Sequence, residues 1–215
     1  FHQGMTADEH TLAVLRHADE LIASDEYVIN HPEELRLLAL YHDAGKAQQY
    51  KDHDALGALA LEQFLEKAAA PTAITQSLKA VIEEHRILGN IAARLVRRQM
   101  DQKRSHQLNS DAFFKTQEAL VSQLAHTIIS KAKSVPEALE ILQYHYLLTI
   151  ADTKAIPFEK GDTGNRYTSQ FASALKDVYE LVKKEIIDDI PIPVITVQMQ
   201  EAAANQKIGE NKFFV

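Results

Sequence analysis

His42 and Asp43 stand side by side at the end of the apolar run from Leu37 to Tyr41. An imidazole next to a carboxylate, placed where the chain leaves a core, is costly to bury unless something binds the pair. His10, His53, His85 and Asp152 also fall at or near expected helix ends. Helix ends in a bundle can converge on one cleft, and imidazole nitrogens clustered with carboxylate oxygens suit Mn, Fe, Zn or another first-row divalent ion. The chain has no cysteine, so any metal site must be built from histidine and carboxylate. Taken singly, each histidine also fits a surface or core imidazole, and the sequence of His42-Asp43 with Gly45-Lys46 weakens that reading without removing it.

The elements that would position these groups are helices. Thr6-Ala7-Asp8-Glu9 reads as a capping box, which starts a helix from about Asp8 to Ser24 with Leu12, Leu15, Ala18, Leu21 and Ile22 at three- and four-residue spacing. Pro32 opens a second helix, apolar almost all round and therefore expected at the centre, which should stop at Gly45 in a left-handed turn. Asp52 caps a third through Ala68, and Pro71-Thr72 starts a fourth ending near His85. Leu88 to Met100 is a fifth, Asp101 to Asn109 a polar loop, and Ser110 to Lys131 a sixth. Ser134-Val135-Pro136-Glu137 begins a helix through Asp152, Pro157 to Gly164 is a loop, and Tyr167 to Ile187 is a last amphipathic helix. Prolines 191 and 193 then force extended geometry on the tail.

Composition agrees. With only 7 glycines in 215 residues, and prolines mostly beside helix starts, composition points away from an all-β sandwich and an all-α class is expected. No apolar run approaches the roughly 20 residues that cross a bilayer, and no signal peptide opens the sequence, so a cytoplasmic location without membrane contact is expected. A formal charge of -7 leaves no broad footprint for duplex nucleic acid, and Arg97-Arg98 with Lys103-Arg104 form only a small basic cluster.

Tyr41-His42-Asp43-Ala44-Gly45-Lys46, followed by His53-Asp54-Ala55-Leu56-Gly57-Ala58, resembles the HD superfamily of metal-dependent phosphohydrolases. His10-Thr11-Leu12 resembles that family's first histidine motif, and Ile150-Ala151-Asp152-Thr153 its distal aspartate. The stretch from Phe1 to Thr11 is similar to HD modules of bacterial uridylyl-removing enzymes and some tRNA nucleotidyltransferases. The resemblance covers about residues 1–86 and the distal aspartate motif and implies an HD-domain helical bundle; with the helical pattern that follows, the domain is expected over 1–189 with a C-terminal helical extension, and an extended arm or tail over 190–215. It implies His10, His42, Asp43 and Asp152 as ligands of one ion, and permits a second on His53 and His85 with Asp43 bridging. Two ions are favoured, drawn from Mn, Fe, Co, Ni, Zn or Mg.

Two features depart from the two-metal pattern: Arg86 stands where several relatives have a second consecutive histidine, and a Gly-Tyr-Pro element is missing. The implied activity is hydrolysis of a small phosphate ester or nucleotide by metal-activated water, with Asp43 and Lys46 as catalytic residues. Lys46, Arg86 and His17 are candidate substrate contacts; His17 lies seven residues from His10, about 20° around the helix. The alternative is a non-catalytic nucleotide-sensing or interaction module, possibly part of a larger nucleotidyltransferase-type protein.

Overall fold

A computed structural model describes residues 5–47, 51–104, 110–156 and 167–189. These form an all-α bundle: α1 (Ala7–Ile22), α2 (Pro32–Tyr41), a short 3-10 turn (Ala44–Ala47), α3 (His53–Lys67), α4 (Thr72–Glu83), α5 (His85–Arg104), α6 (Ser110–Lys131), α7 (Val135–Ala155) and α8 (Ser169–Asp189). There is no strand among the described residues. The anticipated loop at 157–164 and the extended arm at 190–215 lie outside the described residues, as do 105–109 of the anticipated polar loop.

Several starts follow the local chemistry. The Thr6 hydroxyl accepts from the Glu9 amide and the Glu9 carboxylate accepts from the Thr6 amide, a complete capping box that fixes the first turn carrying His10. Ser134 caps α7 by accepting from the Glu137 amide. Asp52 stands at the start of α3, but its side chain makes no capping hydrogen bond.

The central element is α7 and not α2. From Ala138 to Ala155 α7 is buried on almost every side, and it packs against α1, α2, α4, α5, α6 and α8. The apolar ring around α2 is misleading because Leu40 is 39% exposed; Leu35, Leu38 and Ala39 carry its inward face. Leu88 and Ile91 from α5, Leu124 and Ile128 from α6, and Val178 and Val182 from α8 complete the core on α7. Each such residue contributes roughly 1.5–3 kcal/mol of transfer free energy, which is what seats α7 and with it Asp152.

Three boundaries also differ from the sequence reading: α5 runs on to Arg104, so residues 101–104 of the anticipated polar loop are helical. The break after α4 falls at Glu84, so His85 opens α5 instead of ending α4. Helix α2 ends at Tyr41, and Gly45 lies buried inside the 3-10 turn without left-handed backbone. Glycine is needed there for a close approach: a Cβ on Gly45 would lie 2.1 Å from the carbonyl oxygen of His53. Gly57 repeats the device, since its Cβ would meet the Tyr41 carbonyl at 2.5 Å. These two contacts press α3 onto the end of α2 and the turn that follows it.

Candidate metal centre

Six groups meet where five elements end. His10 comes from the first turn of α1, His42 and Asp43 from the exit of α2, His53 from the start of α3, His85 from the start of α5, and Asp152 from the last turn of α7. Their rings form a row: His10 to His42 at 5.5 Å between centroids, His42 to His85 at 5.4 Å and His85 to His53 at 6.0 Å. All four imidazoles and Asp43 are buried, and Asp152 is partly buried.

Asp43 divides the cluster in two. Its Oδ2 lies 3.5 Å from Nε2 of both His10 and His42, while its Oδ1 faces His53 Nε2 at 3.3 Å and His85 Nε2 at 4.0 Å. On the first side Asp152 Oδ1 closes the group, 3.0 Å from His10 Nε2 and 3.9 Å from His42 Nε2. Donor atoms of His10, His42 and Asp43 lie within 4.8 Å of one another, and so do those of Asp43, His53 and His85.

Hydrogen bonding decides which nitrogens face inward. His42 Nδ1 donates to the Ala39 carbonyl at 2.9 Å and His85 Nδ1 to the Ile82 carbonyl at 2.7 Å, each three residues back. An Nδ1 that donates must carry the proton, so in the neutral ring the lone pair is on Nε2. The buried Nε2 of His42 has no hydrogen-bond partner and looks at two carboxylates. A lone pair aimed at negative oxygens is unfavourable in a dry interior unless a proton or a cation lies between them. The donor set of imidazole nitrogens and carboxylate oxygens therefore fits a first-row divalent ion.

The electrostatics show the same demand for positive charge. Burial alone would raise the Asp43 carboxyl, but His42 and Lys46 outweigh it and hold it far below the usual range. Asp152 is likewise lowered, its burial overcome by His10 and His42. Burial opposes protonation of His42, yet Asp43 and Asp152 win and raise it. His85 is pushed down to about 4, first by burial and then by the charge of His42.

The other expected site residues are placed as follows. Lys46 Nζ is ion-paired to Asp43 Oδ2 at 2.5 Å, so its ammonium rests on the shared carboxylate. Arg86 is 57% exposed and pairs with Asp54. His17 Nδ1 meets Glu20 at 2.7 Å on its own helix. Two helical turns separate it from His10, about 10 Å along the axis, which the angular argument alone ignored. Two residues with no expected role lie against the cluster. Asp54 reaches His53 Nε2 at 2.8 Å, and buried His145 is pushed down to about 3 by burial and then by His85. The signal for Asp54 was its place directly after a candidate ligand in a first helical turn, as Asp43 follows His42.

The family model described as HD domain matches residues 7–152. The chain belongs to the HD domain family. Its members are in general metal-dependent phosphohydrolases that bind divalent metals, and here the match runs from the helix carrying His10 to Asp152 itself. No curated protein matches the HD chain. Among the described residues no helix is long and apolar enough to cross a membrane.

Proposed function

We propose that this HD domain protein hydrolyses a phosphate ester, in a nucleotide or nucleotidyl compound, at the cluster centred on Asp43. The observation that carries the reading is the convergence of four imidazoles and two carboxylates, from five separate elements, with the lone pair of His42 directed at carboxylate oxygens. His10, His42, Asp43 and Asp152 would hold one divalent ion, and Asp43, His53 and His85 a second. Ions bound there supply acidified water at neutral pH and a positive field over the phosphoryl oxygens.

The chain's own residues prepare that chemistry. Tethers from Ala39 and Ile82 fix two ligand rings in the required tautomer. Asp43 stays ionised across the physiological range because His42 and Lys46 favour its charged form. Lys46 holds an ammonium beside the Asp43 carboxylate, from which it can turn to a phosphate oxygen as charge develops. A cleft of about 560 Å³ lined by Lys51, Asp52, Asp54, Ala55, Glu83 and Arg86 shares Asp54 with the cluster and gives a substrate room beside it. We read α8 as part of the same unit, since it packs on α5, α6 and α7.

The test is metal analysis and turnover of bis-p-nitrophenyl phosphate by the reconstituted protein and its Asp43→Ala variant. Near-stoichiometric divalent metal and hydrolysis in the wild type, with both lost in Asp43→Ala, is the expected result. Protein that takes up no metal on reconstitution would defeat the reading. Metal without turnover across a nucleotide panel would favour the sensing module instead.

A further inference from the structure

Asp54 is tied to the second half of the cluster much as Asp152 is tied to the first. Asp152 Oδ1 faces His10 Nε2 at 3.0 Å and His42 Nε2 at 3.9 Å. Asp54 Oδ1 faces His53 Nε2 at 2.8 Å and His85 Nδ1 at 3.6 Å. On the first side the Nε2 of both His10 and His42 lies between one oxygen of Asp43 and one of Asp152, and on the second side His53 Nε2 lies between one oxygen of Asp43 and one of Asp54, while His85 shows its Nε2 to Asp43 and its Nδ1 to Asp54.

The inner oxygen of Asp54 is buried and has no hydrogen-bond partner. The 2.8 Å approach to His53 is close in distance without being aligned as a hydrogen bond. The 3.6 Å approach to His85 involves the nitrogen already donating to Ile82. The outer oxygen is taken by the Arg86 guanidinium, which orients the carboxylate. A solvated ion pair with the exposed Arg86 would leave both oxygens near water and is generally weak. It gives no reason for an oxygen turned inward onto His53, whose Nε2 also faces Asp43 Oδ1 at 3.3 Å. Two carboxylate oxygens at 2.8 and 3.3 Å from one buried ring nitrogen require a proton or a cation among them, and donors so closely spaced can share one first-row divalent ion. The position in the first turn of α3 favours a negative charge there as well.

We propose that Asp54 is a further ligand of the cation position formed by Asp43, His53 and His85, with Arg86 as the residue that positions it. The inference rests on the two-ion reading above. It also changes the part assigned to Arg86, from touching substrate to holding a ligand.

Mn²⁺ is the probe, titrated calorimetrically into the chelator-treated 215-residue chain and counted by metal analysis after dialysis. Wild type should take up two ions. Asp54→Asn should keep one at unchanged affinity and weaken the other on the order of 100-fold, while Arg86→Gln weakens that same ion roughly tenfold. Asp152→Asn should affect the other ion, which identifies the two sites. Melting in chelator within about 2 °C of wild type shows that the variants fold. Should Asp54→Asn not fold, Arg86→Gln decides alone. Two ions at wild-type affinity in Asp54→Asn, or in Arg86→Gln where it decides alone, would overturn the role of Asp54 and leave the two-ion reading standing. A single ion in the wild type would overturn both.

Discussion

Replacing Gly45 by alanine adds one methyl group at the point where the turn bearing Asp43 and Lys46 touches the start of α3. The new Cβ would lie 2.1 Å from the His53 carbonyl oxygen, 2.8 Å from its carbon and 2.7 Å from Leu56 Cβ. Two of those three neighbours are backbone, so no rotamer change relieves the clash, and the two elements must part by about 1 Å or more to reach ordinary contact. That displacement carries His53 away from Asp43 Oδ1, now 3.3 Å from its Nε2. Overpacking of this kind costs about 1–3 kcal/mol, and a backbone obstruction belongs at the upper end. For a chain of this length about 3 kcal/mol corresponds to a fall in melting temperature of roughly 6–12 °C. The assay is calorimetry with chelator present, followed by metal titration at 25 °C. Gly45→Ala should melt lower in chelator and bind the ion on the His53 side more weakly, with the His10 side less affected. A variant that melts within about 2 °C of wild type and takes up metal normally would refute the claim that this contact holds the two halves together.

Two further substitutions probe different links. His145 is buried beside the cluster without being one of its expected ligands, and its folded-state value of about 3 lies below the ordinary 6.5. The unfolded chain therefore binds more protons between those values, so the stability His145 confers is present above pH 6.5 and is lost as pH falls toward 3, by roughly 1.4 kcal/mol per unit. In chelator, His145→Gln should lose about 2 kcal/mol less than wild type between pH 6.5 and 5 in urea titrations; equal losses would contradict this. Ala69, after the end of α3, has a φ of 54° and sits in a Schellman closure in which its amide donates to Glu66 and the Ala70 amide to Leu65. Ala69→Gly should stabilise the fold by about 0.5–1 kcal/mol without changing metal uptake, and a lower melting temperature would show that the strain is not there.

The parts of this site that could be read from residue order are those encoded locally. The capping box at Thr6, the Ser134 cap and the adjacency of His42 and Asp43 each place a helix end or a chemical group without knowledge of the rest. The all-α class follows from the same signals. What could not be read depends on depth and on partners distant in sequence. Gly45 looks like a helix stop until the His53 carbonyl is known to lie against it. Leu40 counts as core on a helical wheel and yet faces outward, whereas α7 is central because six helices surround it. His17 shares an angular sector with His10 but stands two turns away along the axis. Asp54 reads as an ordinary first-turn acid until Arg86, thirty-two positions later, is seen to hold its outer oxygen.

The group that closes one side of the cluster, Asp152, is also the last of the six to be synthesised, on a helix that emerges after α1 to α6. A nascent chain exposing only α1 to α5 would present His10, His42, Asp43, His53 and His85 without the carboxylate that completes their first half. On the two-ion reading, the ligand set on that side is completed only when α7 docks between its neighbours, so full loading there would report the end of folding and not its beginning.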